Sequence, residues 1–138
     1  MSLELVPLAT ARIKLKDPIT LEGTAVGTRL IVEVEEAEYF GDRIAGKLKG
    51  QAAADWLLVG ANDVGILDIR ATLETHDGAL IYSAYSGRTD LSKPDSPIYV
   101  TPLYETGDER YLWLSKIQAV GKGIFKDNII NYEIYELR

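Results

Sequence analysis

Asp68, Arg70, Thr72 and Glu74 fall at every second position of ILDIRATLETHDGALIY, Ile66 to Tyr82, with Leu67, Ile69, Ala71 and Leu73 between them. That alternation marks a β-strand with one polar and one apolar face. A carboxylate two residues from a guanidinium on one face suits proton transfer. Burial lifts a carboxylate's pKa toward neutrality and makes it a usable base, and a fixed guanidinium steadies the anion that forms. Asp68 is then the candidate base and Arg70 the candidate anion holder, with Glu105 a second carboxylate for the base role if its strand faces inward. Asp55 can fix Arg70, and Tyr85 or Tyr111 can donate a further hydrogen bond.

Other chemistries have few residues to work with. The 138-residue chain has no cysteine and one histidine, His76, so thiolate nucleophiles, disulfides and cysteine-ligated metals are excluded, and zinc chemistry has too few ligands. His76 precedes Asp77-Gly78 in a turn signal and reads as a solvated turn residue. A net charge of −6 argues against binding nucleic acid, and neither VGTRLIVEV nor AVGKGIFKDN has the spacing of a phosphate cradle. No cofactor is implied. No apolar run approaches the ~20 residues of a membrane span, and MSLELVPLATARIKLK does not resemble a secretory signal, so a cytoplasmic location is expected.

Alternation runs the length of the chain. Candidate strands are Leu5 to Leu15, Thr28 to Val34, Tyr39 to Leu48, Ala54 to Val59, Val64 to Glu74, Ala79 to Ser86, Ile98 to Glu105, Tyr111 to Lys122 and Asn128 to Leu137. Turn signals separate them, and the breaks Asp17 to Gly27 and Thr89 to Pro97 have room for a helical turn each. The expected fold is all-β: a single domain, residues 1–138, forming an antiparallel barrel of roughly eight to ten strands, calycin-like or up-and-down, with an internal cavity.

Two-residue turns at Asn62-Asp63 and Asp77-Gly78 would put Asp55 opposite Arg70 and Thr72 opposite Ser83, so that Asp55, Asp68, Arg70, Thr72, Ser83 and Tyr85 share a face. One reading leaves that face in water, with Asp55 and Arg70 an exposed pair worth of order 0 to 1 kcal/mol. The other turns it inward around a ligand cavity. RYLWLSKIQAVGKG and ALIYSAY are apolar on both faces, and five of the eight tyrosines cluster in the second half of the chain. Both features favour the inward reading, since tyrosine suits a mostly apolar cavity needing a few hydroxyl donors.

ADWLLV, LDIRATLETHDGALIY and YETGDERYLWL together resemble the uncharacterised bacterial and fungal domain-of-unknown-function family 3237, over nearly the whole chain. The resemblance implies a small, soluble antiparallel β-barrel. It carries over Asp55, Trp56, Asp68, Arg70, Tyr85, Glu105, Tyr111 and Trp113 as candidate cavity residues.

Two functions are expected to compete. One is a cofactor-independent isomerase, cyclase or lyase working by proton transfer on a small organic molecule, with Asp68, Arg70 and Glu105 catalytic and Asp55, Trp56, Tyr85, Tyr111 and Trp113 binding the ligand. The other is a lipocalin-like carrier for a small apolar ligand, which needs burial but no unpaired carboxylate. The outer apolar surface makes a homodimer a further expectation.

Overall fold

The alternating segments fold into strands of a single sheet in the computed structural model, which describes all 138 residues. They are β1 (Leu5–Leu15), β2 (Ile19–Thr24), β3 (Gly27–Phe40), β4 (Gly46–Leu48), β5 (Ala54–Val59), β6 (Val64–Thr75), β7 (Leu80–Asp90), β8 (Ile98–Val100), β9 (Leu103–Glu105), β10 (Ala119–Lys126) and β11 (Ile129–Leu137). In the order β1-β3-β5-β6-β7-β8-β10-β11, each strand pairs antiparallel with the next, and β11 pairs back onto β1. The result is a closed eight-stranded up-and-down barrel, to which β2, β4 and β9 are added. Closure pairs the edges that an open sheet would expose.

Several expected elements differ. Ile98 to Glu105, expected as one strand, is interrupted at Thr101-Pro102 into β8 and β9, which pair with different parts of β7. Thr28 to Val34 is part of a longer strand, β3, which runs on to Tyr39 and Phe40, while the rest of Tyr39 to Leu48 is a connection and the short β4; the pairing of β3 with β1 slips by a bulge between Lys14 and Leu15. The break after Asp17 holds β2 rather than a helical turn. Tyr111 to Lys116, the expected start of a strand, lies in a 3-10 helix, Glu109–Lys116, whose first turn is capped by Asp108, which accepts from the Arg110 N–H at 3.0 Å. The run is apolar on both faces because it is a plug. Leu114 is 0% exposed and Trp113 is half-buried beneath the Arg43 guanidinium, which lies 4.8 Å from its ring centre.

The helix closes one end of the barrel. Tyr111 donates its hydroxyl to the Asp77 carboxylate in the β6–β7 turn (2.9 and 3.0 Å), and Arg110 reaches the Asp77 carbonyl at 3.0 Å. Arg43 bonds the buried Glu136 of β11 at 2.5 Å, joining the β3–β4 connection to the same end. The core is the barrel's lower interior, with Leu73, Ile81, Leu114, Ile44 and Ala119 almost wholly enclosed. No helix is long and apolar enough to cross a membrane.

Leu114→Ala would leave a void under the plug. We expect a loss of about 2 to 5 kcal/mol in urea unfolding; a loss below about 1 kcal/mol would show that the helix does not close the core.

Candidate functional site in the barrel interior

Turn length decides which side chains of β5 and β7 share a face with those of β6. The Gly60 N–H bonds the Val64 carbonyl, leaving three residues, Ala61–Asp63, in the β5–β6 turn, where Asn62 and Asp63 take positive φ (61° and 58°). The Thr75 N–H bonds the Ala79 carbonyl, leaving His76–Gly78 in the next turn, with Gly78 at φ 89°. Each turn has one residue more than the sequence reading gave it. Each register therefore moves by one: Asp55 pairs with Ile69, and Thr72 with Tyr82.

The apolar side of β6, Leu67, Ile69, Ala71 and Leu73, points into the barrel and Asp68, Arg70, Thr72 and Glu74 point out, so the shifted registers put Asp55 and Tyr85 with the inward row. The expectation that Asp68 and Arg70 line the cavity is corrected: their side chains are more than half exposed, 3.9 Å apart, on the outer wall. Asp55 does not face Arg70. Trp56, also outside, lies beneath the Arg70 guanidinium at 5.5 Å, and its carbonyl accepts from Arg29 at 3.0 Å. Glu105 is exposed opposite Tyr82, because its neighbour Tyr104 takes the inward position. Tyr111 and Trp113 belong to the plug at the closed end. His76 is exposed in its turn.

Above the plug the interior holds a chamber of about 420 Å³, open at the opposite end between Lys16–Pro18, the connection at residues 91–97, and Asn128. Its wall is mostly apolar: Ile13, Leu15, Leu30, Val32, Leu57, Leu67, Ile98 and Ile130 contribute, among others. Lys16, Asp90, Lys93 and Asp95 sit at the rim. Of the residues read from sequence as site residues, Asp55 and Tyr85 line this chamber. They stand in one row across three strands, Asp55 pairing with Ile69 and Ile69 with Tyr85. Asp55 is the deepest lining residue of β5, and Tyr132 the deepest of β11.

Asp55 is the carboxyl group at the chamber floor. The β5–β6 ladder pairs Asp55 with Ile69 and resumes at Leu58 with Ile66. In the interruption the Asp68 N–H donates to Asp55 Oδ1 at 3.0 Å, and Oδ2 has no protein partner. Burial raises the Asp55 pKa from the ordinary 3.8 to about 7; the Asp68 amide pulls it down and the Asp68 charge adds to the rise. Four tyrosines surround the floor. The Tyr39 and Tyr104 hydroxyls bond each other at 3.1 Å, and Tyr85 and Tyr132 meet edge to face with ring centres 6.4 Å apart. Burial, the leading cause at each, pushes all four phenols up, so they stay neutral donors.

Tyr132, Tyr39 and Tyr104 are not among the site residues expected from the sequence. The signal for Tyr132 was in IINYEIYEL, where Ile130, Tyr132 and Ile134 alternate on one face. No group of three or more His, Asp or Glu side chains is placed to hold a metal ion.

Fold and chamber together define a closed up-and-down β-barrel enclosing a carboxyl group among phenols. The chain belongs to the family described as a protein of unknown function, DUF3237, whose pattern matches residues 3–137. A UPF0311 protein of Bradyrhizobium diazoefficiens is 30% identical over 122 residues, 76% of each chain. The crystal structure of a β-barrel-like protein from Acinetobacter baumannii superposes with a TM-score of 0.91 at 27% identity, over 100% of this chain and 98% of that one. A crystal structure described as an enzyme from Penicillium herquei is more distant, with a TM-score of 0.74 at 19% identity over 99% and 94% of the two chains.

The carboxyl's environment fixes a pH dependence. Unfolded, Asp55 titrates near 3.8, and folded, near 7. Between those values the folded chain holds the extra proton, so ionising Asp55 costs stability as pH rises through the window. Asn keeps the acceptor for the Asp68 amide without the charge. We expect Asp55→Asn to match the wild type near pH 4 and to exceed it above pH 8 by roughly 1 to 4 kcal/mol in chemical unfolding. A difference of the same size at both pH values would contradict the burial argument.

Proposed function

We propose that this protein is a cofactor-independent enzyme that moves a proton on a small, mainly apolar organic molecule held in the barrel, in an isomerisation, cyclisation or lyase reaction. The observation that carries this reading is Asp55 itself: a carboxyl on the floor of an apolar chamber, with one oxygen tied to a backbone amide and the other free. A carboxyl titrating near neutrality both accepts and returns a proton readily. In the step, Asp55 Oδ2 takes a proton from an acidic C–H of the bound molecule, and the C–H electron pair stays on the substrate, delocalised into an adjacent carbonyl. The protonated Asp55 then returns the proton at another atom. The role assigned from sequence to Asp68 thus passes to Asp55. The Penicillium herquei neighbour supports the reading only to the extent that a protein of this fold is described as an enzyme.

The second reading, a carrier, is favoured by the mostly apolar wall and single mouth. A cytoplasmic location and a homodimer belong to the proposal as well. Exposed Ile19, Trp56, Tyr82 and Leu103 on the outer surface support the dimer.

Solvent deuterium exchange at the α-carbon of apolar ketones such as 2-tetralone and 1-indanone, followed by NMR, separates the two readings. We expect the protein to accelerate exchange of at least one ketone, and Asp55→Asn to lower that acceleration by about a hundredfold or more. Asp68→Asn and Arg70→Ala should stay within roughly twofold of wild type. Binding of the ketones without any exchange would favour the carrier, and loss of exchange in Asp68→Asn rather than Asp55→Asn would overturn the assignment.

A further inference from the structure

Buried hydroxyls almost always find a partner, because leaving one unpaired costs about 1 to 3 kcal/mol. Tyr132 breaks that rule. Its side chain is 3% exposed, and its Oη is the one fully buried side-chain oxygen or nitrogen in the chain without a hydrogen bond. The Tyr85 hydroxyl, across the edge-to-face contact, has no protein partner either. The deeper pair differs, since Tyr39 and Tyr104 satisfy each other.

The backbone makes room for this arrangement. Tyr132 lies opposite Gly123 of β10, and a Cβ at position 123 would come within 2.5 Å of the Tyr132 ring. The glycine lets the ring lie flat against the neighbouring strand. Seated there, Tyr132 is part of the wall of the chamber that Asp55 and Tyr85 also line.

Two neutral O–H donors without a protein acceptor, on residues that line the same chamber as a carboxyl with a free oxygen, are complementary to a ligand oxygen bearing two lone pairs. We propose that the chamber floor is a carbonyl-oxygen site. The ligand is then a mainly apolar ketone or enone, bound carbonyl first, with Tyr132 and Tyr85 donating to its oxygen and its apolar body against the aliphatic wall. The reaction class rests on the proton-transfer reading above, whereas the oxygen site stands on the two unpartnered hydroxyls. When Asp55 removes the α-proton, a C=C bond forms, the C=O π pair moves onto oxygen, and the two phenols hold the resulting enolate. Arg70, on the outer wall, has no part in this.

The test uses 4-nitro-1-naphthol, whose coloured ionised form presents an anionic oxygen on an apolar bicycle. Binding is followed by absorbance at about pH 6, where Asp55 is mostly protonated. We expect Tyr132→Phe and Tyr85→Phe each to weaken binding by roughly ten- to a hundredfold, as for a lost hydrogen bond to a charged acceptor. Neither should lower the melting temperature, since neither hydroxyl bonds the protein. Lys16→Ala and Lys93→Ala, at the rim, should stay within about twofold. Loss confined to the lysine variants, or tyrosine variants indistinguishable from wild type, would overturn the oxygen site. The outcomes separate from those of the exchange assay. Exchange dependent on Asp55 with no effect of either tyrosine on the probe defeats this inference alone. A probe that needs both tyrosines, with exchange indifferent to Asp55, defeats the proton-transfer reading and leaves the oxygen site standing.

Discussion

The hydrogen bond from the Asp68 amide to Asp55 Oδ1 holds a carboxyl group inside a barrel that is otherwise lined mostly by aliphatic and phenolic side chains. Water would solvate a carboxylate far better than this chamber does, and one backbone donor returns only part of that solvation. The imbalance is what pushes the Asp55 pKa up to about 7. A group kept at that cost is a candidate for function, because the same position filled by Leu or Val would make a more stable barrel. The acid–base character of the site follows from this one unfavourable burial.

Geometry makes the burial possible. The β5–β6 ladder lapses between the Asp55–Ile69 and Leu58–Ile66 pairs, and the freed amide is the one that meets the carboxylate. The barrel is sealed below by the 3-10 helix, with Leu114 as the stopper and Tyr111, Arg110 and Arg43 as its fastenings. It is open above, where Lys16, Asp90, Lys93 and Asp95 mix charges of both signs around the mouth. Polar groups thus occur at the rim and on the floor, with apolar wall between them. That distribution suits a ligand that is apolar along its length and carries oxygen at the inner end.

Much of this was legible in the sequence. Period-two alternation located most of the barrel strands, with β1 and β5 read to the residue, because one buried and one wet face leave a direct imprint on residue type. Asp55 and Tyr85 are cavity candidates both by the family resemblance and by an inferred register, and the structure overturns the register. Two-residue turns would put them on the face of Asp68 and Arg70, and a single extra residue in each flanking turn reverses the parity of β6 against both neighbours. Asn62 and Asp63 tolerate the positive φ that the longer turn needs, and sequence gives little reason to choose it over a two-residue turn. The plug was misread for a different cause. An eight-residue helix buried on more than one side shows no clean helical period, so Tyr111–Leu114 passed for a doubly buried strand. Tyr132 was passed over because its meaning lies in what its hydroxyl lacks, a property of packing rather than of sequence.

The measurement closest to the central claim is the titration of Asp55 by carboxyl carbon-13 NMR, assigned by its absence in Asp55→Asn. A midpoint near 7, well removed from the bulk of the aspartates, is the expected result. A midpoint near 3.8 would mean that the carboxyl is hydrated like any surface aspartate, and the chamber would then have no acid–base group at its floor.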